Sequence, residues 1–231
     1  MPLLPNPFKA LVIGSSGAIG HSFLELLSNH PSCQEVIGIH RHSTIAINYL
    51  EPSSIELAAK ALISKGPFQL IINTIGALHT NQFMPEKKLD DLDPIYMMEL
   101  VKVNSIGPAL TIRHFSKLLD PKNSVMITLS AKVGSIEDNR LGGWYSYRAS
   151  KAALNMFIKT AAIELARTQP NTALIALHPG TVNSKLSKPF RGEQIGRTPD
   201  AAVKDMFHVI ENIEKEDTGT FLSYKGETLP W

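Results

Sequence analysis

Tyr147 and Lys151 stand four residues apart in GWYSYRASKAALN, residues 143–155, just ahead of an apolar run. If that stretch is helical, positions i and i+4 share a face, and a phenol and an ammonium point into one cleft. Tyr145 is six residues from the lysine and does not share that face. A free phenol titrates near about 10, too high for a base at neutral pH. A nearby ammonium favours the phenolate and lowers that value. The pair therefore suits proton donation to a carbonyl oxygen that is receiving hydride, or the reverse step. Spacing alone fits an exposed surface pair equally well, so the surrounding elements decide.

Those elements alternate. FKALVI (8–13), EVIGI (35–39), FQLIIN (68–73), SVMITLS (124–130), TALIALH (172–178) and GTFLS (219–223) read as strands, with a weaker run near 45–48. Helical periods fall between them. One runs from Ala18 to about Asn29. Another is SSIELAAKALISK, whose Ser53 and Glu56 have capping-box spacing. A long one covers 92–119, flanked by Pro94 and Pro121. Wholly apolar strands between helices predict a parallel sheet covered on both faces. The expected fold is α/β, a doubly wound (Rossmann-type) sheet of about seven strands in one domain, 1–231.

GSSGAIG (14–20) follows the first strand and opens a helix, with glycines at 14, 17 and 20. That is the setting of a dinucleotide site: a tight turn, close backbone approach to pyrophosphate, and free N–H groups at a helix N-terminus. A tight strand-to-helix turn is the plainer reading of the glycines alone. After the second strand comes GIHRHS, where an acid would bind the ribose hydroxyl of NAD. Here His40 stands at that place and Arg41 follows, which favours the 2′-phosphate of NADP over NAD.

The composition narrows the class. The chain has 231 residues, 43% apolar and 19% charged, with a formal net charge of +2. That balance excludes a strongly basic nucleic-acid or membrane surface. Cys33 is the one cysteine, so no internal disulfide framework exists and a reducing compartment is expected. The N-terminal stretch lacks the pattern of a secretory signal, and no run approaches the length of a spanning helix. The expectation is a soluble, cytoplasmic protein with no metal site.

Taken in order and spacing, GSSGAIG, NTIG (73–76), VNSIGP (103–108), YRASK (147–151) and HPGTV (178–182) resemble the short-chain dehydrogenases/reductases over essentially the whole chain. The stretch from Leu129 to Asn155 and the ending GETLPW look most like the C-factor subgroup and the carbonyl reductases similar to it. The resemblance implies Tyr147 as general acid/base and Lys151 as the residue that holds the nicotinamide ribose and lowers the tyrosine pKa. It implies Asn104 as the anchor of a water in the proton relay. Gly14, Ser15, Ser16, Gly17, Ile19 and Gly20 would hold the cofactor. So would Asn73 and Gly76, and the loop Pro179, Gly180, Thr181 and Val182. It also implies a mobile lid at about 181–196, whose Lys185, Lys188 and Arg191 are either solvated or suited to an acidic substrate.

Three departures stand against the family pattern. The glycines are spaced GxxGxxG where GxxxGxG is commoner. Asn48 stands near the place of an adenine-contacting Asp. Counted back from Gly134, the usual catalytic serine position is Ala131, which makes Ser130 the candidate donor and Ser135 a more distant one. The implied activity is NADP(H)-dependent interconversion of a small-molecule carbonyl and a secondary alcohol, in a homodimer or homotetramer. The alternative is a dinucleotide-binding signalling or interaction protein with little turnover, the reading Ala131 favours.

Overall fold

The structure is a computed structural model that describes residues 1–80 and 82–231. Six strands form one parallel sheet: β1 (Phe8–Ile13), β2 (Cys33–Ile39), β3 (Leu70–Asn73), β4 (Ser124–Leu129), β5 (Thr172–His178) and β6 (Phe221–Ser223). Their order across the sheet is β2-β1-β3-β4-β5-β6. Helices α1 (Ala18–Ser28), α2 (Pro52–Ala61), α3 (Pro94–Val101), α4 (Gly107–Phe115), α5 (Tyr145–Thr168), α6 (Gly192–Ile195) and α7 (Pro199–Glu211) make the connections and covers.

Successive strand residues face opposite ways, so each apolar strand supplies two cores. Leu11, Ile13, Ile71 and Met126 pack with Ile55, Phe115 and Leu154 of α2, α4 and α5. Ala10, Val12, Ile72 and Ile127 pack with Phe23 of α1 and Val203 and Met206 of α7. The doubly wound expectation holds, with six strands rather than seven.

The missing strand is the weak one near 45–48. Ser43 Oγ lies 2.8 Å from His40 N and O and 2.7 Å from Ile45 O, and Ser54 Oγ accepts from Asn48 N at 2.9 Å. Side-chain oxygens thus satisfy this backbone locally, and no ladder forms. The same bonds displace the expected capping box. Helix α2 starts at Pro52 with no side-chain cap, and Glu56 instead pairs with Lys60 at 2.6 Å.

The long helical segment is also divided. Between α3 and α4 the chain widens into a π turn, Lys102–Ile106, which buries Asn104 and Ser105. Such turns insert one extra residue into a helix and recur where a side chain must be re-aimed. Asp93 caps α3, accepting from Ile95 N and Tyr96 N at 2.8 and 3.0 Å. No helix among the described residues is long and apolar enough to cross a membrane.

Candidate active site

The cleft lies beyond the carboxyl ends of β1, β3, β4 and β5. Helices leave β1 and β3 toward opposite faces, so this is the switch point where open α/β sheets bind ligands. At its β1 end a cavity of about 490 Å³ is lined by Gly14, Ser16, Gly17, His40, Arg41 and Asn48, among others. At its β4 end a cavity of about 380 Å³ is lined by Tyr147, Lys151, Ser130, Ala131, His178 and Pro179, among others. Thr74, Ile75 and Gly76 line both, so the two read as one groove.

The glycine turn is built by exclusion. Gly14 has φ +89°, and a Cβ there would come 2.7 Å from Thr74 Oγ1. A Cβ on Gly20 would sit 2.3 Å from the Gly14 carbonyl oxygen, so helix and turn pack closer than any side chain allows. Gly17 precedes α1 with no side-chain cap, which leaves N–H groups of the first turn for a ligand. The sequence places Ser15 in this loop beside Ser16. The structure buries Ser15 under β2, its N–H donating to Ile39 O, while Ser16 lines the groove. Ile19 lines the β4-end cavity instead. Arg41 is exposed at the groove's edge, and Glu99 is the one carboxylate among the lining residues at that end.

At the other end, Tyr147 and Lys151 lie one turn apart on α5, both buried and both lining the cavity. Lys151 Nζ donates to Leu129 O at 3.1 Å. Burial pushes the Tyr147 phenol above its ordinary value and the Lys151 ammonium down to about 8. Desolvation therefore outweighs the lowering of the phenol expected from its neighbour, and the phenol keeps its proton at neutral pH.

Asn104 links two walls of the groove. Its Oδ1 accepts from Ala77 N at 2.8 Å, and its Nδ2 donates to Ala77 O at 2.7 Å and Ser150 Oγ at 3.0 Å. A Cβ on Gly76 would lie 3.5 Å from both Asn104 Oδ1 and Lys151 Nζ, which shows how closely these groups converge. Asn73 is fully buried at the end of β3, its Oδ1 accepting from Ile75 N at 3.2 Å. Pro179, Gly180, Thr181 and Val182 line the cavity after β5.

The model of the short chain dehydrogenase family matches residues 41–195. A 1-hydroxy-2-glutathionyl-2-methyl-3-butene dehydrogenase of Rhodococcus is 30% identical over 96% of this chain and 98% of its own length. The chain belongs to the short-chain dehydrogenase family. It is thus an oxidoreductase of the dehydrogenase/reductase kind. The C-signal protein of Myxococcus xanthus is 30% identical over 73% of this chain and 96% of its own. Among solved structures, the NADPH-bound carbonyl reductase from chicken fatty liver superposes with a TM-score of 0.83 at 24% identity, covering 98% of this chain and all of its own.

Against that family pattern, the serine region is unusual. Ser130 lines the cavity, but its buried Oγ donates to Asn155 Oδ1 at 2.6 Å. A hydroxyl carries one proton, so Ser130 can serve a carbonyl only by giving up that bond. Ala131 offers a methyl group. Ser135 is occupied elsewhere, donating to Trp231 O at 3.2 Å and accepting from Asp138 N at 3.1 Å.

Three side chains escaped sequence reasoning. Glu86 is buried and lies 60 residues before Ser146 in the chain, yet its carboxylate accepts from Ser146 N at 3.2 Å and from Ser146 Oγ. Helix α5 begins just after Trp144, which is held at φ +53° and gives the helix no side-chain cap. A carboxylate at a helix N-terminus answers both the free N–H groups and the dipole. Only the Gly142-Gly143 pair before Trp144 signalled an irregular entry. Trp144 meets Tyr147 edge-on at 6.2 Å and Phe190 at 4.9 Å between centroids. Phe190 belongs to the segment after β5, which folds as a short 3₁₀ turn (Lys188–Phe190) and α6. Leu186, Phe190 and Ile195 of this segment line the cavity, whereas Lys185, Lys188 and Arg191 face solvent, Lys188 pairing with Glu193 at 3.0 Å.

Proposed function

We propose that the protein is an NADP(H)-dependent oxidoreductase that interconverts a carbonyl and a secondary alcohol, with Tyr147 as the acid/base. The observation that carries this reading is the buried Tyr147–Lys151 pair in a cavity continuous with the glycine turn. The close-packed turn and the free N–H groups of α1 fit a pyrophosphate, and Arg41 fits a 2′-phosphate. The NADPH bound in the chicken carbonyl reductase supports the same choice.

When bound, the nicotinamide supplies or accepts the hydride. Tyr147 gives its phenolic proton to the carbonyl oxygen as charge develops there. Lys151, tied to Leu129 O, stands one turn away to favour the phenolate left behind. Asn104 holds the 77 loop against α5 and so keeps both groups in register; its proposed place in a water relay rests on the family resemblance. Trp144, Leu78, Leu186 and Phe190 give the substrate end an apolar, aromatic wall, which suits a carbonyl compound with an apolar body.

A panel of aldehydes, aryl ketones and diketones with NADPH or NADH, followed at the nicotinamide absorbance, tests this reading. Turnover with NADPH on apolar carbonyls is expected. Saturable NADPH binding with no turnover on the whole panel would favour the second reading, a dinucleotide-binding signalling protein. Ala131 and the likeness to C-signal are the observations on that side.

A further inference from the structure

We propose that the imidazole of His178 donates the hydrogen bond to the substrate carbonyl oxygen that the side chain at position 131 lacks. This rests on the carbonyl-reducing function proposed above. The sheet sets the ring's place. In the β4–β5 ladder Leu129 pairs with Leu177, and Ser130 N donates to Leu177 O. His178 therefore ends β5 alongside the point where β4 gives way to Ser130 and Ala131.

A main-chain bond draws the ring toward that spot. Lys132 N donates to His178 Nδ1 at 3.3 Å, reaching from one residue beyond Ala131. In a neutral imidazole one nitrogen accepts and the other carries the proton. With Nδ1 accepting, the proton is on Nε2. Nε2 makes no hydrogen bond among the described residues, yet it is not one of the buried unpaired polar atoms, and His178 lines the cavity with Tyr147 and Lys151. That leaves an N–H without a protein partner among the described residues, on a ring that lines the catalytic end of the groove.

The charge state suits the task. Burial, with the charges of Lys132 and Lys151 adding to it, pushes His178 down to about 4, so the ring is neutral at working pH. A neutral imidazole is a very weak acid that polarises a carbonyl without surrendering its proton, the role that imidazole plays in triosephosphate isomerase. The two groups then divide the work. Tyr147 transfers the proton, and His178 only bonds the oxygen as charge builds on it. Neither nearby serine competes, since Ser130 gives its proton to Asn155 and Ser135 to Trp231.

The test compares wild type, His178→Leu, His178→Gln, Ser130→Ala and the double variant His178→Leu/Ala131→Ser. Each is assayed with NADPH on an aryl diketone that wild type reduces, with NADPH affinity and circular dichroism measured alongside. His178→Leu should lower kcat about 10²-fold, the size of one lost oxyanion donor, with NADPH affinity nearly unchanged. His178→Gln, which keeps an N–H, should lose less, and Ala131→Ser should restore at least about tenfold of the kcat lost in His178→Leu. A purely structural histidine would not be rescued by a serine hydroxyl. Near wild-type kcat in His178→Leu, or a folded His178→Leu that Ala131→Ser fails to rescue, overturns the proposal. So does a 10²-fold loss confined to Ser130→Ala. If His178→Leu does not fold, His178→Gln decides: activity within about tenfold of wild type supports the donor, and a loss as large as that expected for leucine overturns it. A wild type that reduces nothing on the panel removes the functional reading and this proposal together, an outcome distinct from all the others.

Discussion

The two ends of the groove are made by different physics. At the β1 end the proposed cofactor site is made of backbone: one tight turn, a helix start and glycines whose missing Cβ atoms set the distances. At the β4 end the work falls to side chains from separate segments. Glu86 reaches Ser146, Ser130 reaches Asn155, and Lys132 reaches His178. A site made of contiguous backbone tolerates side-chain change wherever no Cβ intrudes. A site made of distant side chains is vulnerable at each support.

The largest break expected at the β1 end is Gly20→Val. Its side chain would meet the Gly14 carbonyl and Thr74 Oγ1, so turn and helix must separate. We expect a stability loss on the order of 3 kcal/mol, typical of overpacking, and no saturable NADPH binding by fluorescence titration. Full NADPH affinity in a folded Gly20→Val protein would show that the turn does not set the phosphate site.

At the β4 end, Glu86→Ala should leave NADPH affinity unchanged while lowering kcat and thermal stability. It removes charge-assisted bonds to the first turn of α5, worth about 1.5–3 kcal/mol. Glu86→Gln should recover part of both. Denaturant unfolding and steady-state kinetics read the two effects, and a change in nicotinamide affinity without one in kcat would reverse the assignment.

This contrast also explains what the sequence revealed. Apolar runs and their spacing predicted six of the strands, because a parallel sheet buries both faces and leaves a run with no polar break. The run near 45–48 looked similar but was short enough for Ser43 and Ser54 to satisfy its backbone. The π turn at Asn104 lay inside a segment that read as one helix, with Gly107-Pro108 as its one sign of a break. Tyr147 and Lys151 were legible because one helix carries both. Glu86, Trp144 and the Nδ1 bond of His178 were not, since no local pattern links residues that meet only in the fold.

His178 gives a smaller, pH-resolved effect. Its folded value, about 4, lies below the ordinary histidine value near about 6.5. Between those values the unfolded chain binds more protons, so wild-type stability should fall as pH drops from about 6.5 to 4 and level off below. Wild type should therefore lose stability relative to His178→Leu as the pH falls through that window, read from melting curves of both. Parallel curves over that window would show that the ring is not buried in the neutral form.

The smallest effect is expected from Arg41→Ala, because Arg41 is exposed and screened by solvent. Wild type should bind NADPH more tightly than NADH, and the variant should narrow that gap several-fold through weaker NADPH binding alone. Equal affinities in the wild type would contradict the cofactor choice.

In the proposed function one tyrosine, placed by one helical turn, moves the proton. Tyr147→Phe and Tyr145→Phe, assayed side by side with NADPH on a carbonyl substrate that wild type reduces, test it most directly. Phenylalanine at 147 keeps the ring against Trp144 and deletes only the hydroxyl. We expect kcat to fall about 10²–10⁴-fold in Tyr147→Phe with NADPH still bound, and far less in Tyr145→Phe. Equal losses in the two variants, or an active Tyr147→Phe enzyme, would show that Tyr147 does not move the proton.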